Sequence, residues 1–181
     1  SSVNGTFEAT TSQIVTATNL MNVINTSSGP AGTRFTATVA ESTRLSQGTV
    51  TITDLTNINN GDKVNLIATD TTSHDFTAGD VAGGGIWIAE TDNDTSATNL
   101  AAAIDGNAKF SASADGAIVT IEQVVADVAG NTTITLTDSF AAGMTKTDFT
   151  GGYAYGVVTV TQAVDGIAGN TTVTLTDSGT A

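Results

Sequence analysis

Cysteine is absent from this chain of 181 residues. That excludes a disulfide, a thiolate nucleophile and any sulfur-ligated metal site. Cations are almost as scarce: Arg34, Arg44, Lys63, Lys109 and Lys146 stand against 18 Asp and Glu residues, for a net charge of −13. A nucleic-acid partner requires cations to neutralise phosphates, so none is expected. An anionic bilayer surface repels such a chain. No apolar run approaches the roughly 18 residues that span a bilayer, so no membrane insertion is expected. No secretory signal pattern is visible. The chain opens on Ser1, which suggests a processed terminus or the start of a fragment. Aromatic residues make up 5% of the sequence. Trp87, Tyr153 and Tyr155 are too few for the stacking platforms of a sugar-cleaving enzyme and read as core or interface anchors.

What is abundant is threonine, at 36 positions, with 19 glycines and a single proline, Pro30. Threonine is β-branched and half polar, and it suits pleated surfaces with one wet face. Val, Ile and Thr alternate too regularly for a solvated linker, which favours ordered β structure.

The C-terminal third repeats itself. Residues 118–139, IVTIEQVVADVAGNTTITLTDS, return 39 residues later as VVTVTQAVDGIAGNTTVTLTDS at 157–178, with 14 of 22 positions identical. Each copy shows an alternating run, a connection ending in Gly-Asn and a second alternating run, the pattern of a hairpin. A third such pattern links Val50–Thr53 through Gly61-Asp62 to Val64–Thr69. In 157–178, Val173 and Leu175 alternate with threonines, giving one apolar face and one threonine ladder.

Two helices are predicted. Ala97, Leu100, Ala101 and Ile104 share one helical face, with N-cap candidates in Asp94-Thr95-Ser96 and a stop at Gly106. Ala17, Leu20, Met21 and Ile24 have the same spacing behind Ser12 or Thr16. Ala-Thr-Asn-Leu occurs in both, and Arg34-Phe35-Thr36-Ala37-Thr38 echoes Lys109-Phe110-Ser111-Ala112-Ser113. The echoes are 80 residues apart at the helices and 69 at the hairpins. Short strands are expected at His74–Thr77 and Ile86–Ile88, on either side of Gly83-Gly84-Gly85.

The expected fold class is a β-rich α+β protein: repeated helix–strand–hairpin units forming antiparallel sheets, one helix packed per unit, plus an extra C-terminal hairpin. The expected divisions are an extended arm at 1–13, a first unit at 14–70, a central unit at 71–152 and the extra hairpin at 153–181. That last hairpin has no preceding helix of its own, and an isolated hairpin is marginal in water. It therefore calls for something to dock on: it could extend the sheet of the central unit, close a sheet with the N-terminal segment, or pair with a neighbouring chain by strand addition. The residues assigned to assembly are Tyr153, Tyr155, Val157, Val158, Val160, Val173 and Leu175.

No residue pattern names a chemistry. His74 lacks a framing nucleophile motif and reads as a strand-end surface residue. Glu90, Asp92, Asn93 and Asp94 lack the calcium-loop pattern, and the cluster reads as a solvated loop capping a helix. The loop from Asn57 to Asp62 reads as a turn, and Gly83–Gly85 is not followed by the Lys-Ser/Thr of a P-loop. The five N-x-S/T sequons at Asn4, Asn25, Asn93, Asn131 and Asn170 are expected by chance in so threonine-rich a chain. No catalytic, cofactor-binding or metal-binding residue is assigned, and no cofactor is expected.

The strings GTVTIT (48–53), GDKVNLIATDTTSHDFTAG (61–79), SATNLAAAI (96–104), FSASADGAIVTIEQ (110–123), AGNTTITLTDS (129–139) and FTGG (149–152) resemble a Thr/Gly/Ala-rich repeat of tailed-bacteriophage structural proteins. The likeness covers about 48–152 and the last hairpin. It implies a non-enzymatic virion component of the decoration, tail or fibre type, located in a virion or outside the cell. Its partners would be copies of itself and other structural proteins, with a glycan or host receptor as a further candidate. Repeats of this composition also fill bacterial adhesins, so an extracellular surface or filament subunit of a prokaryote is the alternative. A glycan-binding module or hydrolase is the third hypothesis.

Overall fold

The computed structural model describes residues 5–9, 12–27, 35–163, 165–166, 170 and 172–175. The chain forms two compact units, one from Ser1–Glu41 together with Tyr155–Ala181, the other from Ser42–Ala154. This grouping joins the first and last segments of the chain, which the sequence divisions keep separate although a sheet closed with the N-terminal segment is one option for the last hairpin.

The continuous unit holds two four-stranded sheets and a helix. In chain order its strands are β2 (Gln47–Ile52), β3 (Lys63–Ile67), β4 (Ser73–Ala78), β5 (Ile86–Trp87), β6 (Phe110–Asp115), β7 (Ile118–Gln123), β8 (Thr135–Thr137) and β9 (Met144–Thr150). One sheet runs β6-β7-β2-β9 and the other β5-β4-β3-β8. All pairs are antiparallel except β4 with β5, which meet in parallel over two residues. The β-rich α+β class is therefore observed.

Alternation explains the core. Val50 and Ile52 of β2, Val64 and Leu66 of β3, Phe76 and Ala78 of β4, and Val119 and Ile121 of β7 all point inward and are buried. Helix α2 (Asn93–Asp105) adds Ala97, Leu100, Ala101 and Ile104 to the same cluster. Ala68, Trp87, Phe110, Ile134, Met144 and Phe149 complete it. Phe110 meets Phe76 edge-on at 6.3 Å and stacks on Phe149 at 6.1 Å, geometries that favour aromatic pairs.

The hairpins expected at 50–69 and 118–138 are corrected by this topology. β2 and β3 lie in different sheets, and so do β7 and β8. In each case a 3-10 turn carries the chain across. Leu55–Asn57 is capped by Asp54, and Val128–Gly130 by Asp127. The physical reason is that alternation only requires each strand to bury one face. Two strands can do so side by side in one sheet or opposite each other across a core, and the sequence pattern is the same for both.

The strands of these two segments pair with each other instead. β2 pairs with β7, setting Val50 opposite Val119, its counterpart at the 69-residue offset. β3 pairs with β8, setting Val64 opposite Leu136 and Asn65 opposite Thr135.

The discontinuous unit contains α1 (Gln13–Ser27) and most of β1 (Phe35–Arg44) and of β10 (Tyr153–Gln162). β1 and β10 form a two-stranded sheet. α1 crosses it closely, because a Cβ at Gly156 would stand 2.5 Å from Ala17 Cβ and 3.3 Å from Val39 Cγ1. Only glycine allows that approach. The return half of the last expected hairpin falls partly outside the described residues. Its described part, 172–175, is exposed and has no regular secondary structure.

Candidate functional site

Three places carry polar or exposed side chains in quantity. The first is an open groove of about 620 Å³ between β4, the Gly83–Gly85 loop and α2, lined by His74, Asp75, Glu90, Asn99 and Asn107 among others. All three glycines have positive φ, which gives the loop a path that L side chains rarely follow. His74 lies here with both ring nitrogens engaged. Asn107 Oδ1 accepts from the Lys109 N–H, which turns its Nδ2 toward His74 Nδ1 at 3.1 Å. His74 Nε2 then carries the proton and donates to Thr72 Oγ1 at 3.0 Å, while Thr72 donates to Asp70. The ring also meets Phe110 edge-on at 5.6 Å. Lys109 and the Thr72 hydroxyl hold the Asp70 carboxyl far below the usual carboxylate range. A general base needs a nitrogen facing its proton donor, and here both are committed to protein partners.

The acidic cluster stitches the fold. Asp92, not a residue of 94–96, caps α2: its Oδ1 accepts from the Thr95 N–H at 2.7 Å, and this bond lowers the Asp92 pKa. Asn93 Oδ1 accepts from the Leu55 N–H, and its Nδ2 donates to Thr53 O. Gly106 is the C-cap. Among the described residues, no group of three or more His, Asp or Glu side chains could hold a metal ion. No described helix is long and apolar enough to cross a membrane.

The second place is a buried polar network at one end of the sandwich. Gln123, 1% exposed, accepts from the Thr69 N–H and hydroxyl and donates to Ile67 O. Thr132 Oγ1 also donates to Ile67 O, and Ser46 Oγ donates to Gly130 O at 2.7 Å. Asn131 closes a two-way bond with the Gly152 backbone. At the other end Asp62, 1% exposed, accepts from the Asn59 N–H and from both the N–H and hydroxyl of Ser139. Burial raises the Asp62 pKa, but the Ser139 and Asn59 hydrogen bonds outweigh it, and the result lies below the ordinary value. Every buried polar side-chain atom among the described residues has a partner, as expected of a structural network.

The third place is the discontinuous unit. The structure puts Tyr153, Tyr155, Val157, Val158 and Val160 on β10. Val158 and Val160 share the face of Gly156, toward α1, while Tyr155 and Val157 share the opposite face. Tyr155, Val157 and Val160 are exposed, at 40%, 47% and 43%. Val173 and Leu175 are 76% and 88% exposed. Phe7, Ala9, Ala17, Leu20, Gly156 and Val158 are among the residues lining an apolar groove of about 630 Å³.

Sequence reasoning missed one pair of contacts. Asn25 of α1 donates to Ala37 O and accepts from the Ala37 N–H of β1. Asp105 of α2 accepts from the Ala112 N–H of β6. Asn25 and Asp105 are counterparts at the 80-residue offset, and Ala37 and Ala112 are counterparts in the two Phe-strand motifs. The echoed motifs carried the signal; the side chain making the contact differs between copies.

Comparison with protein-family models, with curated proteins and with solved structures gave no match.

Proposed function

We propose that this protein is a non-enzymatic structural subunit that assembles through β edges into a homo-oligomer, as a decoration, tail or fibre component of a phage particle. The observation that carries this reading is the state of one core. The α1–β1–β10 unit repeats the sequence of α2–β6–β7, yet it leaves partly open several of the positions that its counterpart buries. Leu100, Ile104 and Ile121 are fully buried, and Phe110 is 2% exposed. Their counterparts Leu20 and Ile24 are only half-buried, while Phe35 and Val160 are 36% and 43% exposed. Duplicated α–β–β modules are building elements, and a module with an open core is completed by a neighbour.

The engaged state of His74 and the structural use of Asp92, Asn93 and Asp62 support a scaffold over a reaction centre. The virion assignment rests on the resemblance of the Thr-rich strings. Negative-stain imaging of the purified chain tests the reading: ordered oligomers or filaments are expected, and a monodisperse field of single compact particles at high concentration contradicts it.

A further inference from the structure

We propose that the groove beside β4 takes an extended, basic peptide strand of a partner protein, which adds to the open edge of β4 at Ser73 and Asp75. The inference is independent of the assembly reading, which concerns the other unit.

The edge follows from the direction of main-chain bonds. Ala78 of β4 turns its N–H to Asp62 O and its C=O to the Gly61 N–H, on the β3 side. Directions alternate along a strand, so Ser73, Asp75 and Thr77 turn theirs away from β3. Thr77 is covered there: its N–H donates to Gly85 O at 2.9 Å, and β5 pairs with Thr77 and Ala78. β5 reaches no further along β4. Its chain folds back at Gly84-Gly85, and Gly83 and Ile86 exchange both main-chain bonds across that turn. Among the described residues, which include all of 35–163, none bonds the main chain of Ser73 or Asp75 on the side away from β3.

Other edges of this unit are plugged by the chain itself. Asp105 takes the Ala112 N–H of β6, Gly83 takes both main-chain groups of Ile86 on β5, and Thr132 O takes the Phe149 N–H of β9. An unplugged edge is a template for strand addition. This one lies in the groove of about 620 Å³, a volume in the range of ligand pockets. One wall of the groove is backbone: a Cβ at Gly85 would stand 3.0 Å from Asp75 O. The opposite wall is the end of α2, where Ala102, Ala103 and Gly106 line the groove. Small residues on both sides let a main chain approach β4.

The lining sets the chemistry of the occupant. Its acidic members are Asp75 and Glu90, and it holds no Lys or Arg. The Asp75 carboxylate is spent on Asn65 and Lys63, so Asp75 offers the groove its main chain. Unlike Asp92 and Asn93, Glu90 has no side-chain partner among the described residues. Asn99 gives its Nδ2 to Ile88 O and keeps Oδ1 unpaired among the described residues. The free side-chain groups are acceptors, so a Lys or Arg on the incoming strand matches them. Side chains turned to α2 must be small. A chain with five cations and a net charge of −13 is a poor source of such a strand, and its field attracts a basic one. That favours a partner protein over a second copy.

The test titrates the isotope-labelled full chain with the end-blocked peptide Thr-Ala-Arg-Ala-Thr and follows amide shifts by NMR. Saturable shifts are expected at Ser73, Asp75, Gly84, Gly85 and Ala102–Gly106, with a Kd of the order of 1 mM. Methylating the peptide's backbone nitrogens should weaken binding about ten-fold or more, because main-chain bonds are lost. Glu90→Gln should weaken it about two- to five-fold. Ala102→Arg, at an exposed helix position that suits arginine, fills the groove and should abolish the shifts while the rest of the spectrum stays unchanged. Absence of saturable shifts overturns the proposal. Binding that survives backbone methylation overturns strand pairing. Shifts at the same amides on concentrating the protein alone identify a second copy as the occupant, and the same shifts with cellopentaose identify a glycan; either overturns the basic strand.

Discussion

Ile134→Ala and Val173→Ala remove the same kind of side chain from the same local sequence, AGNTT-I/V-TLTDS, and they should have opposite consequences. Ile134 is fully buried. Its Cδ1 fills the space over Gly48, where a Cβ would lie 2.9 Å away. Truncation removes three buried carbons at about 0.8 kcal/mol each and leaves a cavity, which puts the cost at about 3–4 kcal/mol. For a unit of this size that is a drop in Tm of roughly 10–15 °C. Val173 is 76% exposed, so truncation there should change stability by no more than about 0.5 kcal/mol. Urea and thermal unfolding followed by Trp87 fluorescence read the difference, and measurements at low protein concentration keep self-association out of the comparison. Equal losses at the two sites would refute the reasoning, because they would mean that Val173 is packed as Ile134 is. A silent Ile134→Ala would remove β8 from the core.

Further outcomes follow from the same geometry. Gln123→Leu breaks three hydrogen bonds and leaves the Thr69 N–H without its acceptor, so a loss of about 2–4 kcal/mol is expected in urea unfolding. Asp62→Asn puts an amide where two N–H groups and one O–H group donate, costing about 1–3 kcal/mol. The pH dependence has a definite sign. The Asp62 pKa is lowered in the folded state, so its stabilisation is complete above the unfolded value of about 3.9 and is lost as pH falls through the folded value. The parent should therefore lose stability more steeply than Asp62→Asn below about pH 4. Gly156→Ala forces α1 off the sheet, and hydrogen exchange should show faster exchange of the α1 amides; unchanged protection would contradict the close crossing at Ala17. Each copy carries a charge of −13, so self-association should strengthen as salt rises from about 20 to 500 mM and screens the repulsion. Salt-weakened association would point to ion pairs at the interface instead.

Where one-dimensional pattern sufficed, the sequence was legible. The helical face of Ala97, Leu100, Ala101 and Ile104 lies in the core, and Gly106 ends the helix. Ser12 caps the first helix, its hydroxyl accepting from the Val15 N–H. The strands at His74–Thr77 and Ile86–Ile88 form, the second shortened to Ile86–Trp87. Pairing was not legible. The alternation of Val50–Thr53 and Val64–Thr69 records that each strand has one wet face, and nothing in it says whether they share a sheet. The union of α1 with β10 joins residues more than about 120 positions apart, and no local propensity encodes it. The Asp92 cap was displaced from the expected Asp94 because the choice depends on which carboxylate reaches the Thr95 N–H. At the candidate sites, residue type alone marked His74 and the acidic cluster for scrutiny, but only coordinates reveal that their polar atoms are already spent on Asn107, Thr72, Thr95 and Leu55.

Sedimentation velocity of the full chain over a wide concentration range bears most directly on the idea that an open α1–β1–β10 core is closed by another copy. The account predicts species at multiples of 18.1 kDa, gaining weight as concentration rises. A single species at 18.1 kDa throughout, up to the solubility limit, would contradict it.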